Sequence, residues 1–177
     1  MAGAPEGAPA SAGNLKDFEV FYRTEFVPLV SFLNLFGFPM PEAEDVAQEA
    51  MIAMVRHWGT IEHPRAYARR IAVRAGLRNR QRDLERERQL VVGALDRTSA
   101  SVPYEKTVED DHWVRRVLEW LPPQQRQVMA LTIDGFTPAE ISNILTMPAN
   151  TVRSNLRHAR STLQRALHHE RIRERLI

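Results

Sequence analysis

Apolar residues along this chain recur at helical spacing almost everywhere. Leu15, Phe18, Tyr22, Phe26, Leu29, Leu33 and Phe36 step by three or four, which predicts one long helix with a continuous apolar face. Pro28 is expected to kink it, and Gly37 with Pro39 and Pro41 to end it. Pro41 then opens a second helix whose first turn holds Glu42, Glu44 and Asp45, where the helix dipole favours acids. Val46, Ala47, Ala50, Met51, Met54 and Trp58 form its apolar stripe, with Asp45, Gln48, Glu49 and Arg56 on the other side. Pro64 starts a basic helix running to about Arg88.

The period is lost over residues 89–108, and Arg97 to Pro103 read as a linker. It returns in Trp113, Val117, Leu118 and Leu121, stops at Pro122-Pro123, and resumes in Val128, Met129 and Leu131 until Gly135. Thr137-Pro138-Ala139-Glu140 is the sharpest local signal. Thr137 caps the amide three residues on, Glu140 reaches back, and Pro138 takes the first helical position. The helix so begun turns Ile141, Ile144 and Leu145 inward. Thr146-Met147-Pro148 makes a three-residue turn into a last helix with Val152, Leu156, Ala159, Leu163 and Leu167 as its stripe. The expected fold is all-α: two small helical domains, 15–88 and 109–177, joined by a flexible linker over 89–108 and preceded by a disordered arm over 1–14.

Composition narrows the chemistry. Cysteine is absent, which excludes disulfides, iron–sulfur clusters and thiolate zinc sites and fits a reducing cytoplasm. The six His form no zinc-binding set, and no phosphate-binding glycine loop or nucleophile elbow occurs, so neither catalysis nor a cofactor is expected. No apolar run is long enough to span a bilayer, and no membrane insertion is expected.

The formal net charge of +2 hides strong segregation. Residues 42–62 sum to −4, residues 65–88 to +6 and residues 149–177 to +5. Two basic blocks suggest two contact surfaces for a polyanion, the alternative being two solvated helix faces.

Two short helices joined by a three-residue turn, the second one basic, describe a helix-turn-helix. Packing of Ile141 and Ile144 on Val152 and Leu156 projects the start of the last helix. Thr151, Arg153, Ser154, Asn155, Arg157 and His158 are its expected outward side chains. Arg forks onto guanine, Asn onto adenine, and Ser or Thr onto a phosphate or base edge. The alternative is an ordinary helical hairpin with a basic solvated face. In the first basic block, Arg70, Arg74, Arg78, Arg82 and Arg86 recur every four residues. Like charges at that spacing repel on an isolated helix, and phosphates would neutralise them. Tyr67 beside these arginines suits stacking on unpaired bases or, equally, a place in the core. Trp58 continues an apolar stripe and reads as core.

Several segments resemble the extracytoplasmic-function sigma factors of the sigma-70 family. Glu44-Asp45-Val46-Ala47-Gln48-Glu49-Ala50 resembles the acidic helix of region 2. Pro64-Arg65-Ala66-Tyr67-Ala68-Arg69-Arg70-Ile71-Ala72 resembles the start of the promoter-melting, –10-reading segment. Leu121-Pro122-Pro123-Gln124-Gln125-Arg126, Gly135-Phe136-Thr137, Asn150-Thr151-Val152-Arg153-Ser154 and Ala159-Arg160 resemble region 4.

The resemblance implies a cytoplasmic protein that binds core RNA polymerase, at the beta-prime clamp and the beta flap, and directs promoter recognition and melting. It implies that Asp45, Gln48 and Glu49 dock on the beta-prime clamp helices. Arg65, Tyr67, Arg70, Arg74 and Arg78 would hold the –10 element, and the loop from Arg56 to His63 would take a flipped base. The last helix would read the –35 element, the linker would thread through the polymerase, and an anti-sigma factor becomes a conceivable partner. The chain departs from the family pattern at Tyr67, commonly Trp, at Thr146, commonly Gly, at Asn155, commonly Arg, and at Arg74 and Arg78, commonly Asn and Asp. The rival readings are a free-standing helix-turn-helix operator-binding regulator and, more remotely, an RNA-binding helical protein. A simple repressor needs neither the acidic docking face nor a second basic helix.

Overall fold

The computed structural model describes residues 12–90 and 109–174, all of them helix or connecting turn. Most of the expected arm over 1–14, nearly all of the expected linker over 89–108 and the last three residues lie outside the described residues. Seven α-helices follow in order: α1 (Ala12–Phe36), α2 (Met40–Val55), α3 (Pro64–Leu90), α4 (Glu109–Glu119), α5 (Pro123–Ile133), α6 (Pro138–Leu145) and α7 (Ala149–Glu174). No strand occurs among the described residues. No helix among them is long and apolar enough to cross a membrane.

The described residues fall into two units, one from 12–30 and 40–90, the other from 31–39 and 109–174. In the first, α2 runs against α3. The face α2 buries is made of Ala43, Val46, Ala47, Ala50, Met51 and Met54, and α3 buries Ala68, Ala72, Val73 and Ala75. At the edges of this contact, long side chains meet. Arg80 donates two hydrogen bonds to Glu42 at 2.8 and 2.9 Å, and Asn79 donates to Glu49 at 3.2 Å.

The N-terminal part of α1 is held through aromatic rings and one buried charge. Trp58, in a short 3-10 turn from Trp58 to Thr60, meets the rings of Phe18 and Phe21 at centroid distances of 5.1 and 4.9 Å. Trp58 therefore packs on α1 instead of extending the α2 stripe, which ends at Val55. Arg69 is 1% exposed and donates to Glu25 at 3.0 Å. Pro28 lies inside α1 without dividing it.

The second unit surrounds α5. Its core is Val117, Leu118 and Leu121 with Val128, Met129, Ala130 and Leu131, closed by Ile141, Ile144, Val152, Leu156 and Ala159. Both α6 and α7 pack on α5 and on each other. Gly135 ends α5 at φ 97°, a left-handed conformation that an L side chain rarely adopts.

Candidate nucleic-acid interface

The helix-turn-helix is α6, a three-residue turn and α7. Its first helix starts where the local chemistry demands. Thr137 Oγ1 accepts from the Glu140 amide at 3.4 Å, and the Thr137 amide donates to Glu140 Oε2 at 2.8 Å. The same carboxylate oxygen accepts from the Thr137 hydroxyl at 2.7 Å. These bonds hold the Glu140 carboxyl below its ordinary value of 4.5, the side-chain bond from Thr137 first and the backbone bond second. A depressed carboxylate stabilises the fold above its unfolded pKa, and that contribution is lost as pH falls through the folded value. Thr137→Ala is therefore expected to cost about 1 kcal/mol of stability at neutral pH. The penalty should shrink in acid, where Glu140 is protonated in both proteins. Thermal melts across pH 3 to 7 check this, and a penalty independent of pH would remove Glu140 from the cap.

The turn carries a local conflict. Thr146 sits at φ 52° and ψ 43°, the left-handed conformation, although it is β-branched. Neighbouring bonds hold it there. The Thr146 and Met147 amides both donate to the Ser142 carbonyl, the latter at 3.0 Å, and the Ser142 hydroxyl donates to the Met147 carbonyl at 2.6 Å.

On α7 the inward stripe is as the spacing predicts, with Val152, Leu156 and Ala159 buried. The six expected outward residues divide. Thr151, Arg153, Arg157 and His158 are exposed. Ser154 and Asn155 are half-buried, and Asn155 directs its amide to the Met147 sulfur at 3.6 Å. Arg153 donates to the Asn150 side chain at 2.9 Å, so one turn-end residue steadies it. Arg157 has no hydrogen bond or ion pair among the described residues.

On α3, Arg65, Arg70, Arg74 and Arg78 are all exposed on one helix, as are Arg82 and Arg86. Their environments differ. Arg65 approaches Glu25 at 3.8 Å, the carboxylate that Arg69 also holds. Arg70 lies over the Tyr67 ring, 5.2 Å from its centroid. Tyr67 is thus half-buried, neither core nor open platform, with one aromatic face covered by a guanidinium. In the turn before α3, Arg56, His57, Glu62 and His63 are exposed.

The acidic face of α2 is outward as expected. Asp45 and Gln48 are exposed and have no polar partner among the described residues, whereas exposed Glu49 accepts from Asn79. The sequence reading missed Ile52, one turn further along this face and 58% exposed. It also missed that Arg69 is a core residue, since the run Arg69-Arg70 carries no sign of which guanidinium points inward. No group of three or more His, Cys, Asp or Glu able to hold a metal occurs among the described residues.

Comparison with known proteins gives two family matches. Residues 28–87 match the model described as Sigma-70 region 2, and residues 111–163 match Sigma-70, region 4. Among solved structures, the chain is similar to the sigma factor RpoE from Bartonella quintana, determined in complex with the anti-sigma factor NepR. That likeness has 22% identity and a TM-score of 0.64 and covers 86% of this chain and 98% of the other. It is also similar to CnrH, determined in complex with the cytosolic domain of CnrY. The identity there is 23%, the TM-score 0.55, and the coverage 90% and 92%. No curated protein matches the chain in sequence.

Proposed function

The chain belongs to the sigma-70 family, and on that premise we propose that it is a sigma factor of the extracytoplasmic-function type, with a division of labour among its helices. A sigma factor binds core RNA polymerase and directs promoter recognition and melting. The first unit, with α2 and α3, engages the polymerase and the –10 element. The second unit, with α6 and α7, engages the –35 element. The match to region 2 carries this reading over that of an operator-binding regulator, which has no use for such a domain.

Asp45 and Gln48 are the docking residues on α2, aimed at the beta-prime clamp helices. Glu49 contributes there while bracing α3 through Asn79. Ile52 adds apolar surface beside these polar groups. Arg70, Arg74 and Arg78 grip the strand at the –10 element, and Arg65 acts at the start of the same helix. Tyr67 stacks with a base once Arg70 moves to a phosphate, a cation–π contact worth about 0.5–1 kcal/mol at an exposed site and therefore cheap to exchange. Thr151, Arg153, Arg157 and His158 face the –35 element, while Ser154 and Asn155 serve the turn as much as the groove. The task is one of binding, and the polymerase performs the chemistry, which places the protein in the cytoplasm. The complexed states of RpoE and CnrH support control of this chain by an anti-sigma partner.

The docking face is tested by charge reversal at Asp45. It has no polar partner among the described residues, so Asp45→Lys leaves the fold undisturbed. Core affinity is expected to fall about tenfold or more, an effect of the size found for charge pairs at interfaces. Fluorescence titration of core polymerase measures it, with circular dichroism as the folding control. Unchanged affinity would exclude α2 from the interface.

A further inference from the structure

Helix α7 runs on to Glu174, whereas the region 4 match ends at residue 163. The added turns keep the same rotational setting. Leu163, Ala166 and Leu167 remain half-buried on the inward side, and Arg160, Gln164, Arg165 and His168 are exposed. At 100° per residue, these four share one sector with Arg153 and Arg157, spanning about two-fifths of the helix circumference. From Arg153 to His168 the stripe is about 22 Å long at 1.5 Å per residue. Arg160 has no hydrogen bond or ion pair among the described residues, and Arg165 makes only a weak bond to the Ser161 carbonyl at 3.3 Å.

A straight rod of that length cannot stay on the floor of a curved groove about 12 Å wide and 8.5 Å deep. When the start of α7 meets base edges, the same face two to four turns later meets the groove wall, which is phosphate. We infer that the distal half of α7, through Arg160 and Arg165, is a second DNA contact: a sequence-independent phosphate clamp beside the –35 element. The inference rests on the assignment of α7 as the –35 reader. It separates two roles along one helix, with Arg153 and Arg157 selecting the site and Arg160 and Arg165 setting affinity and its salt dependence.

Phosphate contacts release counterions, so each one contributes about 0.9 to the slope of log affinity against log salt. Holoenzyme reconstituted with full-length Arg160→Gln/Arg165→Gln protein should therefore lose close to two units of slope on promoter duplex. Between about 50 and 200 mM salt it should lose roughly tenfold less affinity than the wild type. The loss of slope should be equal on duplexes with intact and scrambled –35 elements. The Lys/Lys variant should retain the wild-type slope. Gln and Lys match Arg in helix propensity, so α7 persists in both. An unchanged slope in the Gln variant, with Arg153→Gln still weakening binding to the intact –35 element, would overturn the clamp and spare the reader. Loss confined to the intact element would assign these arginines to bases and also overturn it. Silence of Arg153→Gln as well would overturn the –35 assignment itself.

Discussion

Replacing Arg70, Arg74 and Arg78 with Gln is expected to abolish promoter opening while leaving occupation of the –35 element largely in place. The three side chains are exposed and one turn apart on α3. A hydrogen bond from a charged donor is worth about 1.5–3 kcal/mol, so three lost phosphate contacts remove at least about 4 kcal/mol. That is roughly a thousandfold in the fraction of open complex. Gln preserves helix propensity, and removing three like charges at four-residue spacing relieves repulsion. The lost Arg70–Tyr67 contact is worth only about 0.5–1 kcal/mol, so the variant should remain folded and the defect should be functional. Nuclease protection of the –35 element together with permanganate reactivity of thymines near –10 reads both halves in one experiment. Equal opening by the variant would remove α3 from the melting step.

Removal of the Glu25 carboxylate should produce a large loss of stability. Glu25→Ala removes the carboxylate that the buried guanidinium of Arg69, 1% exposed, holds at 3.0 Å. Breaking a buried pair from one side costs about 3–5 kcal/mol, a large fraction of the stability of a small domain. The melting temperature of the unit should fall by roughly 15 °C or more. The double substitution Glu25→Ala/Arg69→Met should recover much of this, since an apolar side chain of similar length replaces the buried charge. Calorimetry on the full-length chain distinguishes the cases, and equal destabilisation in the single and double variants would show that the pair is not coupled. The pair also has a functional consequence. It anchors the first turns of α3, the part that carries Arg65, Tyr67 and Arg70, so loosening it should blur –10 contacts before the unit melts.

Much of this was legible in the sequence because the physics is local. The helical period of α1, α5 and α7, the prolines that open α3 and α6, and the capping box at Thr137 and Glu140 each depend on residues within one or two turns, although Leu15 and Tyr22 of the expected α1 face are exposed. The exposed arginines of α3 follow from the same helical arithmetic. What stayed hidden depends on contacts distant in sequence. Arg69 is separated from Glu25 by 44 positions, and nothing near it marks it as the buried member of an arginine-rich run. Trp58 continued the α2 stripe on paper, but the helix stops at Val55, and the indole packs on Phe18 and Phe21. Asn155 had the chemistry of a base reader, yet its amide meets the Met147 sulfur across the turn.

Promoter opening by the wild-type protein is the most direct test of its assignment as a sigma factor. Full-length chain with core polymerase, on promoters mapped by transcription start sites, should make thymines near –10 permanganate-reactive. Neither core alone nor the chain alone should do so, because unstacking costs a few kcal/mol per step and needs the polymerase to hold the opened strand. Tight binding of closed duplex by the chain alone, with no reactive thymines on any mapped promoter in the presence of core, would contradict the assignment and identify an operator-binding regulator instead.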